Sequence, residues 1–157
     1  MGKKNENSRK LELYTIFLNT FYKDFLKYGI NNKRAWQSLI RGLQFVVNSR
    51  YDFDRRAFMR AVGGSAALAD KLLTFLAAED VIQVSREVGR AVMYERNPSY
   101  NKIRVAALAN AARVKILEKT NGRETEHTKL ALQLYEKAGI PKPDSRRYSA
   151  AKKISAE

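Results

Sequence analysis

Few side chains in this sequence have the type and spacing to do covalent or metal chemistry. Asp52 and Asp54, with Glu79 and Asp80, are the carboxylates that could gather a divalent ion for phosphodiester hydrolysis. Asp52 and Asp54 also stand where a turn and a helix cap are needed, and Glu79 and Asp80 where a helix makes its polar exit, so those plainer roles are expected. His127, the sole histidine, lies in the polar opening of a helix beside Glu124 and Glu126 and reads as a surface residue. The absence of cysteine excludes disulfides, thiolate catalysis and Cys-based zinc sites. No phosphate loop of the GxxxxGK[ST] or GxGxxG form occurs. No catalytic residue, cofactor or metal site is expected, and the chain does not read as an enzyme.

The remaining signal is positive charge. Thirty Lys and Arg against 16 Asp and Glu leave a net charge of +14 over 157 residues, which favours a polyanionic partner at ordinary salt. Arg55, Arg56 and Arg60 share one short segment, Arg86 and Arg90 flank a turn, and Ser65, Lys71 and Thr74 fall on the polar side of the helix between them. Phosphate contacts from such residues would hold a duplex without reading it. The plainer alternatives are a solvated helix face for the first group and protection of a sheet edge for the second. Lys33, Arg34, Arg41, Arg50, Arg104 and Arg113 spread further charge along the chain.

Apolar periodicity predicts the elements that carry these residues. A first helix from about Ser8 to Tyr28 places Leu11, Tyr14, Leu18, Phe21, Phe25 and Tyr28 on one side, with Ile16, Phe17, Tyr22 and Leu26 widening that face and Gly29 as its stop. A second, capped by Asn32, carries Trp36, Leu39, Ile40, Leu43 and Val47; Trp36 and the tyrosines on such stripes read as core. The segment SRYDF suits an edge strand. Asp52 and Asp54 are cap candidates for a short helix from Arg55 to Val62, ended by Gly63 and Gly64. Ser65 caps the next helix, which buries Leu68, Leu72, Phe75 and Leu76. The pattern then turns to period two in VIQVS and RAVMYE, hinged at Gly89.

A fifth helix from Asn101 to about Thr120 presents Ile103, Ala107, Asn110, Val114 and Leu117 as a heptad-like seam. A sixth, from about Thr125 to Ala138, turns Leu130, Leu134, Tyr135 and Ala138 inward. Residues 1–7 read as a disordered basic start, 8–140 as one helical domain, and 141–157 as a basic, flexible tail. No apolar run approaches the roughly 20 residues that span a bilayer, so a soluble, intracellular protein is expected, cytoplasmic or nucleoid-associated, with no membrane partner.

From Asp54 to Asn97 the order is short helix, Gly-Gly-Ser turn, helix and hairpin. With the run LADKLLTFLAAEDVI and the Gly-tipped hairpin after it, this stretch resembles the winged helix-turn-helix superfamily. The wider order, two helices, strand, two helices, wing and two helices, is similar to the MarR layout. The resemblance implies a mainly α fold with a winged helix at about 49–97 and a small β-hairpin wing, flanked by two N-terminal and two C-terminal helices. It further implies double-stranded DNA as partner, a homodimer through the terminal helices, and transcription regulation. The residues it puts toward DNA are Arg55, Arg56, Arg60, Ser65, Lys71, Thr74, Arg86 and Arg90.

One departure bears on readout. Base edges are read by hydrogen-bonding side chains, yet the start of the recognition helix is Ser65, Ala66, Ala67, Ala69, Asp70, Lys71 and Thr74. Only Ser65, Lys71 and Thr74 suit DNA contact and Asp70 would repel phosphate, so sequence-specific readout is not expected; the arginines beside this helix favour binding dominated by the DNA backbone. The alternative is an assembly module of a phage or mobile element, in replication or small-terminase-like packaging, whose helix Ala66 to Ala78 packs on protein while basic tails touch nucleic acid.

Overall fold

The computed structural model describes residues 18–138; the expectations for Leu11, Tyr14, Ile16, Phe17 and both basic ends lie outside the described residues. The first helix, α1, covers residues 18–27 within that range. Gly29, at a φ of +76°, turns the chain after it, and Asn32 opens α2 (Lys33–Asn48) by accepting from the Ala35 N–H at 2.9 Å. Trp36 is core, as expected, with its indole N–H donating to the Ile30 carbonyl at 3.1 Å.

The expected edge strand is β1 (Phe53–Asp54), only two residues long. Asp54 alone caps α3 (Arg55–Val62), accepting from the Ala57 N–H at 2.8 Å. Asp52, the other expected cap, instead accepts from Arg86, on the strand at the opposite edge of the sheet. Gly63 ends α3 in the left-handed region, Ser65 caps α4 (Ala66–Ala78), and the chain turns through 105° between the two helices. Strands β2 (Ile82–Val88) and β3 (Ala91–Arg96) are antiparallel about Gly89, with a bulge between Val84 and Arg86. β1 pairs with the far side of β3, giving the order β1-β3-β2, with Phe53 opposite Tyr94. Asn101 caps α5 (Lys102–Lys119), and Thr125 with Thr128 forms the capping box of α6 (Glu126–Lys137). The described chain is mainly helical, with this one small antiparallel sheet; none of its helices is long and apolar enough to cross a membrane.

An aromatic cluster joins helices to sheet. Phe45, Phe53, Phe58 and Tyr94 stand with ring centroids 5.0–6.3 Å apart. Phe58 reaches them because α3 lies directly on Gly42 of α2, where a Cβ would stand 3.1 Å from the ring and 3.3 Å from Val62. The Ser38 hydroxyl fixes the same crossing by donating to the Val62 carbonyl at 3.1 Å. On the other side of the core, Phe75 of α4 meets Phe25 and Tyr28 at 5.6 and 5.5 Å.

The fifth helix corrects the seam reading. Asn110 and Leu117 of the expected seam are buried, but Ile103 is 62% exposed, and Val105, Ala106, Leu108, Ala109, Ala111, Ala112 and Ile116, off that stripe, are buried as well. Packing between α2 and α6 surrounds α5 on most of its circumference, which a one-stripe period does not anticipate. Its alanines permit that close approach.

Phe58 is fully buried and at the centre of the α2–α3–sheet junction. Phe58→Ala is expected to cost about 3–5 kcal/mol, measured as a fall in the urea midpoint with an unchanged slope.

Candidate nucleic-acid interface

The corner made by α3 and α4 carries most of the residues expected to face DNA, but not all in the expected state. Arg55 is tied to Asp70 by two hydrogen bonds, Nε to Oδ1 at 2.6 Å and Nη2 to Oδ2 at 2.9 Å. Hydrogen bonding and the opposite charge raise the guanidinium's pKa and lower the carboxyl's. Asp70 is therefore already neutralised and does not stand as the free repulsive charge its position in the sequence suggests. Neither does Arg55 stand as a free cation. Arg56 and Arg60 are exposed on the same short helix and take part in no ion pair with a described residue.

On α4 the two hydroxyls are engaged with their own helix. Ser65 Oγ accepts from the Leu68 N–H at 3.1 Å, and Thr74 Oγ1 donates to the Asp70 carbonyl at 2.8 Å. Ala69, expected on the exposed run, is fully buried because it falls on the same side of the helix as Leu72, Leu73 and Leu76. Lys71 is exposed, and its stem lies along the turn after α1, 3.4 Å from where Gly29 would carry a Cβ. The outward face is thus Ala66, Ala67, Asp70, Lys71, Thr74, Ala77 and Ala78.

Only one of the two hairpin arginines is at the tip. Arg90 occupies the turn with Gly89, exposed and without an ion-pair partner among the described residues. Arg86 sits within β2, past the bulge, where its Nε donates to Asp52 at 2.9 Å; Ser85 donates to the same carboxylate at 3.4 Å. The bulge turns this stretch toward the segment before β1. Arg86 braces the hairpin rather than extending it.

A second charged group, not anticipated from sequence, holds the far end of α4. Glu79, at its C-cap, is buried and accepts from Arg104 of α5 at 2.5 and 2.9 Å, while the Arg104 guanidinium also lies 5.5 Å over the Phe21 ring of α1. Burial is the main cause that lifts the Glu79 carboxyl above its usual range; the nearby Asp24 carboxyl adds to this and Arg104 opposes it. The polar exit expected for Glu79 is a clasp between α1, α4 and α5. Burial and long sequence separation are what hid it: Arg104 lies 25 residues from Glu79. The histidine expected at the surface, His127, is partly buried, and its pKa is lowered by that burial and by Arg41 and Lys33.

Among the described residues, no three His, Asp or Glu side chains gather in a metal-holding group. No family model, curated protein or solved structure matches the chain.

Two outcomes follow from these ion pairs. Because Glu79 has a raised pKa in the fold, its stabilising contribution is complete below the unfolded-state value and is lost as pH rises through the folded value. Glu79→Gln removes that titration, so the variant's stability relative to the parent is expected to increase with pH across the mildly acidic range, read by urea denaturation at a series of pH values. Asp70→Ala frees Arg55; if this corner is where a duplex docks, affinity is expected to rise, with a salt slope steeper by about 0.9 for the added phosphate contact. An unchanged slope in fluorescence anisotropy would place Arg55 outside the contact surface.

Proposed function

We propose that this protein is a winged-helix DNA-binding protein that holds duplex DNA mainly through its phosphates, as a transcription regulator or a less selective organiser of DNA. The observation that carries the reading is the α3–α4 corner. Two helices meet at 105° in front of a three-stranded sheet, with Arg56, Arg60 and Lys71 exposed on the corner and Arg90 at the hairpin tip. A helix-turn-helix angle near 90–120° presents the second helix outward. The cations beside it supply a charge-based, sequence-indifferent hold. Internal use of the Ser65 and Thr74 hydroxyls supports backbone contact over base readout. A homodimer belongs to the same reading. On the described part of α1 Leu26, 69% exposed, is the apolar side chain such a contact would cover, among Asn19, Lys23 and Lys27.

A second reading draws on the alanines. Ala66, Ala67, Ala77 and Ala78 give α4 a smooth exposed face suited to protein packing, in an assembly module whose basic ends alone touch nucleic acid.

Replacing Arg56 and Arg60 with glutamine separates the two. The winged-helix reading expects weaker duplex binding and a salt slope reduced by about 1.8, two contacts at about 0.9 each. Full affinity after those changes, lost instead on removal of residues 142–157, would favour the assembly module.

A further inference from the structure

The cations of α2 are a charged group that the α3–α4 corner leaves unexplained. Neither α2 nor α3 contains an Asp or Glu, yet each starts with two cations, Lys33 and Arg34 in one and Arg55 and Arg56 in the other. The first turn of a helix favours negative charge, so this placement works against each helix in isolation. Lys33, Arg34, Arg41, Arg56 and Arg60 join no ion pair with a described residue.

These residues are also brought together. The α2–α3 crossing at Gly42 sets Arg41 beside the turn that ends α3, with Nη1 3.0 Å from where Gly63 would carry a Cβ. Arg60 lies in the last turn of α3, immediately before that glycine. Arg34 and Arg41 are seven residues apart and share one line of α2, with Lys33 next to them. From the other side α6 packs on α2, and His127 in its first turn lies within electrostatic reach of Arg41 and Lys33.

The geometry points to a second phosphate-contact strip, running from Arg60 across the Gly63 turn to Arg41, Arg34 and Lys33 of α2 and ending at His127 of α6, along which the same DNA duplex continues past the corner. This rests on the DNA-binding reading and extends its footprint to elements outside the corner and the hairpin. Two clustered strands of phosphate contact make a longer site and a steeper response to salt than the corner alone supplies. Burial first, then Arg41 and Lys33, lower the pKa of His127, and Glu126 opposes them. A phosphate laid on the strip would reverse the effect of the two cations.

Two measurements on the full chain test it, with a short mixed-sequence duplex as the probe. Anisotropy across a salt series compares the parent with Lys33→Gln, Arg34→Gln and Arg41→Gln combined; the slope is expected to fall by about 2 to 3, at about 0.9 per contact. The His127 imidazole of the unaltered protein is titrated by NMR with and without the duplex, and its pKa is expected to rise on binding, a readout independent of how the triple variant folds. A duplex that binds with slope and imidazole both unmoved overturns the strip and leaves the corner as the DNA site. A reduced slope with His127 unmoved also overturns it, since the loss then comes from charge acting at a distance. If the parent binds no duplex near physiological salt, the DNA-binding reading fails and the strip fails with it.

Discussion

The seating of α3 on α2 depends on one missing side chain. Phe58 and Val62 approach Gly42 so closely that even a methyl group there would have to displace them, and the Phe58 ring then continues into Phe45, Phe53 and Tyr94. This contact sets three things together. It fixes the tilt of α3, and through the Gly63 turn the direction of α4. It lets Phe53 hold β1 against β3, so the hairpin is anchored to the helices through a two-residue strand. It also places Arg41 against the α3–α4 turn. The arrangement of cations on this side is thus a consequence of an apolar crossing, since charges that are exposed and unpaired contribute little to their own positioning.

At the other end of α4 the constraint is polar. Glu79 and Arg104, with Phe21 stacked on the guanidinium, connect the exit of α4 to α5 and α1. A buried carboxylate costs free energy that two guanidinium hydrogen bonds to one of its oxygens offset, and the presence of Asp24 makes the balance sensitive to protonation. The aromatic contact of Phe75 with Phe25 and Tyr28 supplies the non-polar part of the same junction. α4 is therefore held at both ends, by Ser65 and the α3 corner at its start and by this clasp at its finish.

Local chemistry was the legible part of the sequence. Asn32, Asp54, Ser65 and Asn101 cap the helices they were expected to cap, and Gly29, Gly63 and Gly89 take the left-handed conformations that their turns require. Such features depend on neighbours within three or four residues. Apart from Ala69, buried on the side of its own helix that carries Leu72, Leu73 and Leu76, the misread features depend on distant ones. Asp52, two residues short of the cap position that Asp54 fills, is instead held by Arg86, 34 residues away on β2. Arg55 and Asp70 look like a free cation and a free repulsive charge until a 105° turn brings them together. The surface of α5 reads as a seam because its alanines carry no sign of being covered, and only the packing of α2 and α6 shows that they are. Within the candidate interface, the charges were visible in the sequence, but which of them are already paired was not.

On the proposed reading, the exposed face of α4 also constrains how any DNA selectivity would arise. Methyl groups from Ala66, Ala67, Ala77 and Ala78 give a base edge nothing to bond, and the hydroxyls of Ser65 and Thr74 already serve their own helix. Both carboxylate oxygens of Asp70 already accept from Arg55, so what they still offer a cytosine amino group is an acceptor whose charge is offset. Small side chains do have one advantage: they let the helix backbone come close to the groove wall, where cations on either side meet the phosphates. Preference among duplexes would then follow how readily each sequence adopts the groove width and bend that bring its phosphates to Arg56, Arg60 and Arg90, which is a property of DNA shape and deformability.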